Sequence, residues 1–162
     1  HERLVGSEMC IETDSRRVKL KFLTVLDNIA IATPLAGCFI RLGNLMNGEI
    51  VGTVTHVPWA FIFPHEDMQP RHPAQLYEAI AYLLIFIIGL RLYKKYKTTL
   101  YPGFYFGYCL TTIFTFRFLV EFIKASQEAF EDSMMLNMGQ WLSIPFILLG
   151  AHFMYHSFKP VK

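Results

Sequence analysis

Gly103–Ile123 reads GFYFGYCLTTIFTFRFLVEFI. Its length matches the roughly 20 residues that a helix needs to cross a bilayer. Fifteen uncharged residues, Pro102 to Phe116, precede Arg117, and Phe118, Leu119 and Val120 follow it. A guanidinium keeps its proton, so it must be solvated, paired or bound to an anion. At bilayer depth it costs at least about 2.5–3.5 kcal/mol, which makes an arginine there a candidate functional residue. The pattern recurs upstream. Asn28–Asn47, NIAIATPLAGCFIRLGNLMN, carries Arg41 and no other formal charge.

Two further stretches have span length: Leu76–Leu92, with Glu78 near its start, and Met138–Phe158, which has no formal charge. The predicted fold is therefore all-α, an integral membrane helical bundle of about four transmembrane helices with a long outer-side loop. Pro34, Gly37, Arg41 and Gly43 are expected to break the first span. Composition agrees. Hydrophobic residues make up 53% and charged residues only 17%, against about 25% charged in soluble proteins. The net charge of +2, with no basic stripe, argues against nucleic acid as a partner. Cys10, Cys38 and Cys109 are an odd set without a CxxC pair. Cys38 and Cys109 read as small buried hydrophobes. No GxSxG, HExxH, P-loop or GxGxxG segment is present, which argues against a serine hydrolase, a zincin or a nucleotide enzyme.

Loop charges orient the spans. Arg91, Lys94, Lys95 and Lys97 lie between the second and third spans, Arg16, Arg17, Lys19 and Lys21 precede the first, and Lys159 and Lys162 form the tail. The positive-inside rule makes all three regions cytoplasmic. The connection from Lys124 to Asn137 holds Glu128, Glu131 and Asp132 against one lysine, as an outer loop would. Arg41, Glu78, Arg117 and Glu121 then converge on the outer leaflet. Residues 1–27 form a charged N-terminal segment without an apolar h-region, read as a truncation or as the start of an ordered part. Residues 28–158 form the membrane domain and 159–162 a cytoplasmic tail.

Three constellations can do chemistry. Arg41-Leu42-Gly43-Asn44-Leu45-Met46-Asn47-Gly48-Glu49-Ile50-Val51-Gly52 places Arg41 and Asn44 on one helix face. It offers a cation, two amides, a carboxylate and flexible backbone to an anionic, hydroxyl-rich headgroup; a helix-end salt bridge followed by a turn is the alternative. Arg117-Phe118-Leu119-Val120-Glu121 has the i,i+4 spacing of a self-contained ion pair. In Pro70-Arg71-His72-Pro73-Ala74-Gln75-Leu76-Tyr77-Glu78-Ala79, Gln75 and Glu78 share a face if the helix begins near Pro73. The alternative is an ordinary helix start. Trp59, Phe61 and Phe63 suit a membrane interface. His152 and His156 have metal-ligand spacing but no acidic partner nearby, and interfacial snorkelling is the better reading.

These blocks resemble the prolipoprotein diacylglyceryl transferase family. Arg41 to Gly52 is similar to its arginine-x-glycine-asparagine-x-x-asparagine-glycine-glutamate signature, Pro70 to Ala79 to its second block, and Arg117 to Phe122 to its arginine-x-x-valine-glutamate-phenylalanine segment. Met138 to Pro145 resembles the opening of its last helix. His1-Glu2-Arg3-Leu4-Val5-Gly6 lies where the family has histidine-glycine-glycine, with Glu-Arg in place of the glycines. The resemblance implies the last four of seven spans in a bacterial inner membrane, with the active site toward the outer leaflet. It implies transfer of a diacylglyceryl group from phosphatidylglycerol to the lipobox cysteine of a prolipoprotein signal peptide, without cofactor or metal. Arg117 would stabilise the leaving group, Glu121 would orient it, and Arg41 would hold the headgroup. His1, or less directly His72, would act as base. Asn44, Asn47, Glu49, Gly52, His72, Gln75, Tyr77 and Glu78 would line the substrate site. A non-catalytic phospholipid-binding relative and a small transporter are the competing readings.

Overall fold

The computed structural model describes residues 22–96, 100–124 and 136–158. They form four helices: α1 (Phe22–Asn47), α2 (Ala74–Tyr96), α3 (Phe104–Val120) and α4 (Met138–Ser157). A 3-10 turn, Glu121–Ile123, extends α3. In the long α1–α2 connection, β1 (Phe61–Ile62) and β2 (Pro70–Arg71) pair antiparallel, with Phe61 opposite Arg71. The protein is a multi-pass helical membrane protein. α1, α2 and α3 with its turn are long and apolar enough to cross a membrane. The expected fourth span is a helix of 20 residues, yet among the described residues it does not join that set, because Gln140, His152 and His156 dilute its apolar run. It packs along α3.

α1 is not broken as expected. It begins at Phe22 and runs unbroken through Pro34. A helical proline leaves the carbonyl four residues earlier without its usual donor, and inside a membrane that group needs another. Here the Cys109 Sγ of α3 lies 2.9 Å from the Ala30 oxygen and supplies the donor. Cys109 thus does more than fill space. Asp27 makes a second link between the same helices. Its Oδ2 accepts from the Gly103 N–H at 2.7 Å and its Oδ1 from the Phe106 N–H at 2.8 Å. The first N–H groups of a helix have no partner within it and favour a negative charge. A buried carboxylate from α1 meets that need, since Gly103 has no side chain to do so.

α3 and α4 meet through small residues. A Cβ on Gly107 would stand 2.6 Å from the Gly150 oxygen, and one on Gly150 would stand 2.5 Å from Thr111 Oγ1. Such contacts let two helix backbones approach in the absence of a hydrophobic drive between them. Between the helices lies a core of Ala30, Ile31, Cys38, Tyr82, Ile85 and Tyr108, among others.

The α1–α2 connection folds back over one end of the helices. Gly52 N–H donates to His72 O at 3.0 Å, His72 N–H to Thr53 O at 3.0 Å, and Thr53 N–H to Ile123 O at 2.9 Å. Three chain segments therefore cross at Gly52. A Cβ there would lie 2.6 Å from the His72 oxygen and 2.9 Å from that of Ile123. Arg71 braces the loop, with Nε 3.1 Å and Nη2 2.7 Å from the two Asp67 oxygens and Nη1 3.1 Å from Gly52 O. The guanidinium holds the Asp67 carboxyl below its ordinary value, so the brace stays ionised at neutral pH. Trp59 and Phe61 are exposed, as an interfacial role requires, whereas Phe63 is buried and belongs to the loop's own packing.

Two outcomes follow from these links. Asp27→Ala strands two N–H donors and is expected to lower stability by about 1–3 kcal/mol, read as a fall in the thermal midpoint in detergent; an unchanged midpoint would show that another acceptor serves. Gly52→Ala is expected to be at least as damaging, because two backbone oxygens rather than flexible side chains oppose the methyl, and proteolysis of the α1–α2 loop reports the opening.

Candidate functional site

α2 starts at Ala74, immediately after Pro73, and the helical spacing aims Gln75 and Glu78 inward together. Both are fully buried. A bare carboxylate in such a place is costly unless cations meet it. Two do. Arg41 Nε of α1 lies 2.9 Å from Glu78 Oε2, an ion contact without an N–H directed at that oxygen. Lys124 Nζ donates to Glu78 Oε1 at 3.1 Å and stands 3.4 Å from Glu121 Oε2. The salt bridge foreseen for Arg41 therefore reaches across to another helix rather than closing a local turn. The Asn44 amide, turned so that its oxygen meets a donor, accepts from Arg41 Nη1 at 3.2 Å. Arg41 and Asn44 do share a face.

Arg117 behaves differently. The i,i+4 pair with Glu121 is not formed among the described residues, where the ion partner of Glu121 is Lys124. The reason is local geometry. The Glu121 N–H still reaches the Arg117 carbonyl, so the two residues keep their α-helical spacing; the 3-10 turn that follows brings Lys124 round to the Glu121 carboxylate instead. Arg117 Nε is buried and has no hydrogen-bond partner among the described residues. Arg117 lies one α-helical turn before Glu121, whose carboxylate shares Lys124 with Glu78, so it belongs to the same end of the bundle. Counting Arg41, Lys124 and Arg117 against Glu78 and Glu121, the cluster carries one net positive charge.

The remaining candidates divide. Gln75 Nε2 donates to the Glu49 carbonyl, while its buried Oε1 has no partner among the described residues. Glu49 contributes its backbone there and is exposed, as is Asn47. Gly52 serves as the chain crossing already described. Tyr77 joins a relay in which Trp59 Nε1 donates to the Tyr77 hydroxyl at 2.8 Å and the same oxygen lies 3.2 Å from His72 Nδ1. His1 and the acidic residues Glu128, Glu131 and Asp132 lie outside the described residues. His152 and His156 lie side by side, both exposed, and no group of three metal-ligating side chains occurs among the described residues.

Sequence reasoning missed Lys124, which it counted only as a loop charge. The signal was present in its position three residues after Glu121, but not its tertiary partner Glu78, 46 positions away. It also missed Gly139. A Cβ on Gly139 would stand 2.8 Å from the Glu121 carboxylate, so the α4 backbone closes over that group. The N-terminus of α4 is fixed by a capping box between Asn137 and Gln140, and Gln140 Nε2 reaches Phe118 O at 3.4 Å. Chemically, the site presents a fixed carboxylate with two cations and one guanidinium free to grip an oxyanion.

Comparison with known proteins bears on the same residues. The family model for prolipoprotein diacylglyceryl transferase matches residues 5–156. A phosphatidylglycerol–prolipoprotein diacylglyceryl transferase of Bacteroides fragilis is 61% identical over 140 residues, covering 86% of this chain and 50% of the relative. Those of Tolumonas auensis and Porphyromonas gingivalis are 48% and 44% identical, covering 86% and 98% of this chain and 54% and 62% of their own lengths. The chain spans about half the length of the curated relatives it matches. With a family match that runs through every helix building the Glu78 cluster, and with relatives this similar, the chain belongs to the prolipoprotein diacylglyceryl transferase family.

Proposed function

We propose that the protein transfers the diacylglyceryl group of phosphatidylglycerol to the lipobox cysteine of a prolipoprotein signal peptide, in the outer leaflet of a bacterial inner membrane. The observation that carries this reading is the buried Nε of Arg117, without a partner among the described residues, at a site where Arg41, Lys124 and Arg117 outnumber Glu78 and Glu121 by one charge. A phosphodiester supplies the missing anion, and arginine meets phosphate oxygens with a planar fork.

In this reading the cysteine thiolate attacks the glyceryl carbon next to the phosphate. A carbon–sulfur bond forms, the carbon–oxygen bond breaks, and glycerol phosphate leaves with the electron pair. Charge develops on the departing oxygen, where a preorganised guanidinium acts most strongly. Arg117 takes that role. Arg41, fixed by Glu78 and Asn44, holds the headgroup, and the free Gln75 Oε1 accepts from a glycerol hydroxyl. The thiol proton passes to a histidine, either His72 on its Tyr77 relay or His1. Only the thiolate is nucleophilic enough for this step. Between α2 and α3 an open groove of about 500 Å³, lined by Ala81, Leu84, Ile85, Phe116 and Leu119, suits acyl chains entering sideways from the lipid. Phe116 precedes Arg117 in sequence and Ala81 lies one turn from Glu78. A transporter reading fits less well. The charges gather at one end of the helices, and the buried carboxylate farther along α1, Asp27, is committed to the N-terminus of α3.

The decisive assay supplies phosphatidylglycerol and a lipobox peptide to this chain and to a version joined to the preceding segment of the Bacteroides fragilis relative. Thioether product from either is expected; product from neither refutes the transferase and leaves a phospholipid-binding relative. In the active form, Arg117→Lys keeps the charge but loses the fork, and kcat/KM is expected to fall about 10- to 100-fold, the loss that follows from a charged hydrogen bond made in the transition state. Near-normal transfer by that variant would remove Arg117 from the leaving-group role.

A further inference from the structure

Lys124 is placed with more care than a loop lysine requires. It caps the 3-10 turn in extended backbone, at φ −75° and ψ 146°, and pairs across to Gly52 in an antiparallel bridge. Its side chain is only 7% exposed, and its Nζ lies 3.1 Å from Glu78 Oε1 and 3.4 Å from Glu121 Oε2. One carboxylate would suffice to offset the burial of an ammonium. The second contact has another effect. Glu121 follows Arg117 by four residues, the spacing at which opposite charges join on a helix. It turns to Lys124 instead, and Arg117 Nε stays without a partner among the described residues. From the other side, the α4 backbone at Gly139 packs against the Glu121 carboxylate, 2.8 Å from the position of an added Cβ, and closes off the α4 direction to it.

We propose that Lys124 is a positioning residue for diacylglyceryl transfer: by bridging Glu78 and Glu121 it keeps both carboxylates off Arg117, so that this guanidinium stays open to a singly charged phosphodiester. The proposal rests on the transferase reading above. Without Lys124, three cations become two, the net charge of the cluster falls to zero, and Glu121 is free to pair with Arg117. The lipid phosphate then competes with an internal carboxylate one helical turn away.

The test compares Lys124→Met, Lys124→Arg and the double variant Lys124→Met with Glu121→Gln, in whichever form shows transfer. Lys124→Met is expected to raise KM for phosphatidylglycerol about tenfold or more and to leave KM for the lipobox peptide near its starting value. Lys124→Arg, which keeps a cation between the two carboxylates, is expected to stay within about threefold. The double variant removes the competing anion and is expected to recover several-fold over Lys124→Met. A double variant no better than Lys124→Met, or a KM for phosphatidylglycerol unmoved by Lys124→Met, overturns the proposal. If Lys124→Met does not fold by its thermal midpoint, Lys124→Gln and its Glu121→Gln partner carry the same comparison. Absence of transfer by the unsubstituted protein defeats the transferase reading itself, which separates the two failures.

Discussion

A fully buried carboxylate at Glu78 is the constraint around which this end of the protein is arranged. An ionised carboxylate removed from water is stable only with cations and donors close to it. Arg41 comes from α1 and Lys124 from the segment after α3, while Glu78 itself sits on α2. Three elements distant in sequence are thus fixed to one point by electrostatics that hydrophobic packing alone would not specify. The apolar faces of the helices decide that they associate; Glu78 decides how far each is advanced along its axis.

The rest of the scaffold serves the same registration. Asp27 pins the N-terminus of α3 to α1, and the Cys109 thiol meets the carbonyl that Pro34 leaves free. These contacts act on the half of α3 away from Arg117, so α3 is held at both ends. The Gly107–Gly150 crossing brings α4 against α3, which places the α4 N-terminus beside Glu121. At the loop side, the Gly52 crossing ties His72 and Lys124 to a single strand of backbone. Each of these contacts has a backbone group on at least one side, and so it fixes the position of the main chain that carries the site.

The consequence for chemistry is a division of labour among like charges. Arg41 and Lys124 are committed to carboxylates, and Arg71 to Asp67. Arg117 is committed to nothing within the described residues. In the proposed transfer, a cation with no internal anion to release when the substrate arrives needs little reorganisation as charge develops, which is where electrostatic catalysis gains most. Burying such a group lowers stability, and its neighbours keep it from collapsing onto the nearest anion.

What the sequence determined by itself was the kind of protein. Long uncharged runs carrying Arg41 and Arg117 require helices in a membrane, because backbone polar groups there must be satisfied within the chain and a charge there needs a partner. The i,i+3 relations of Arg41 with Asn44 and of Gln75 with Glu78 were also legible, since a helix fixes them locally. The tertiary structure decided the pairings. Arg117 and Glu121 have the spacing of a pair and do not form one, Lys124 reads as a loop charge and is buried between two carboxylates, and Pro34 reads as a break and is not one. For Lys124 and Pro34 the deciding atom, Glu78 Oε1 or Cys109 Sγ, arrives from another helix, and for Glu121 the α4 backbone at Gly139 closes the far side. Spacing along one helix carries no information about such partners.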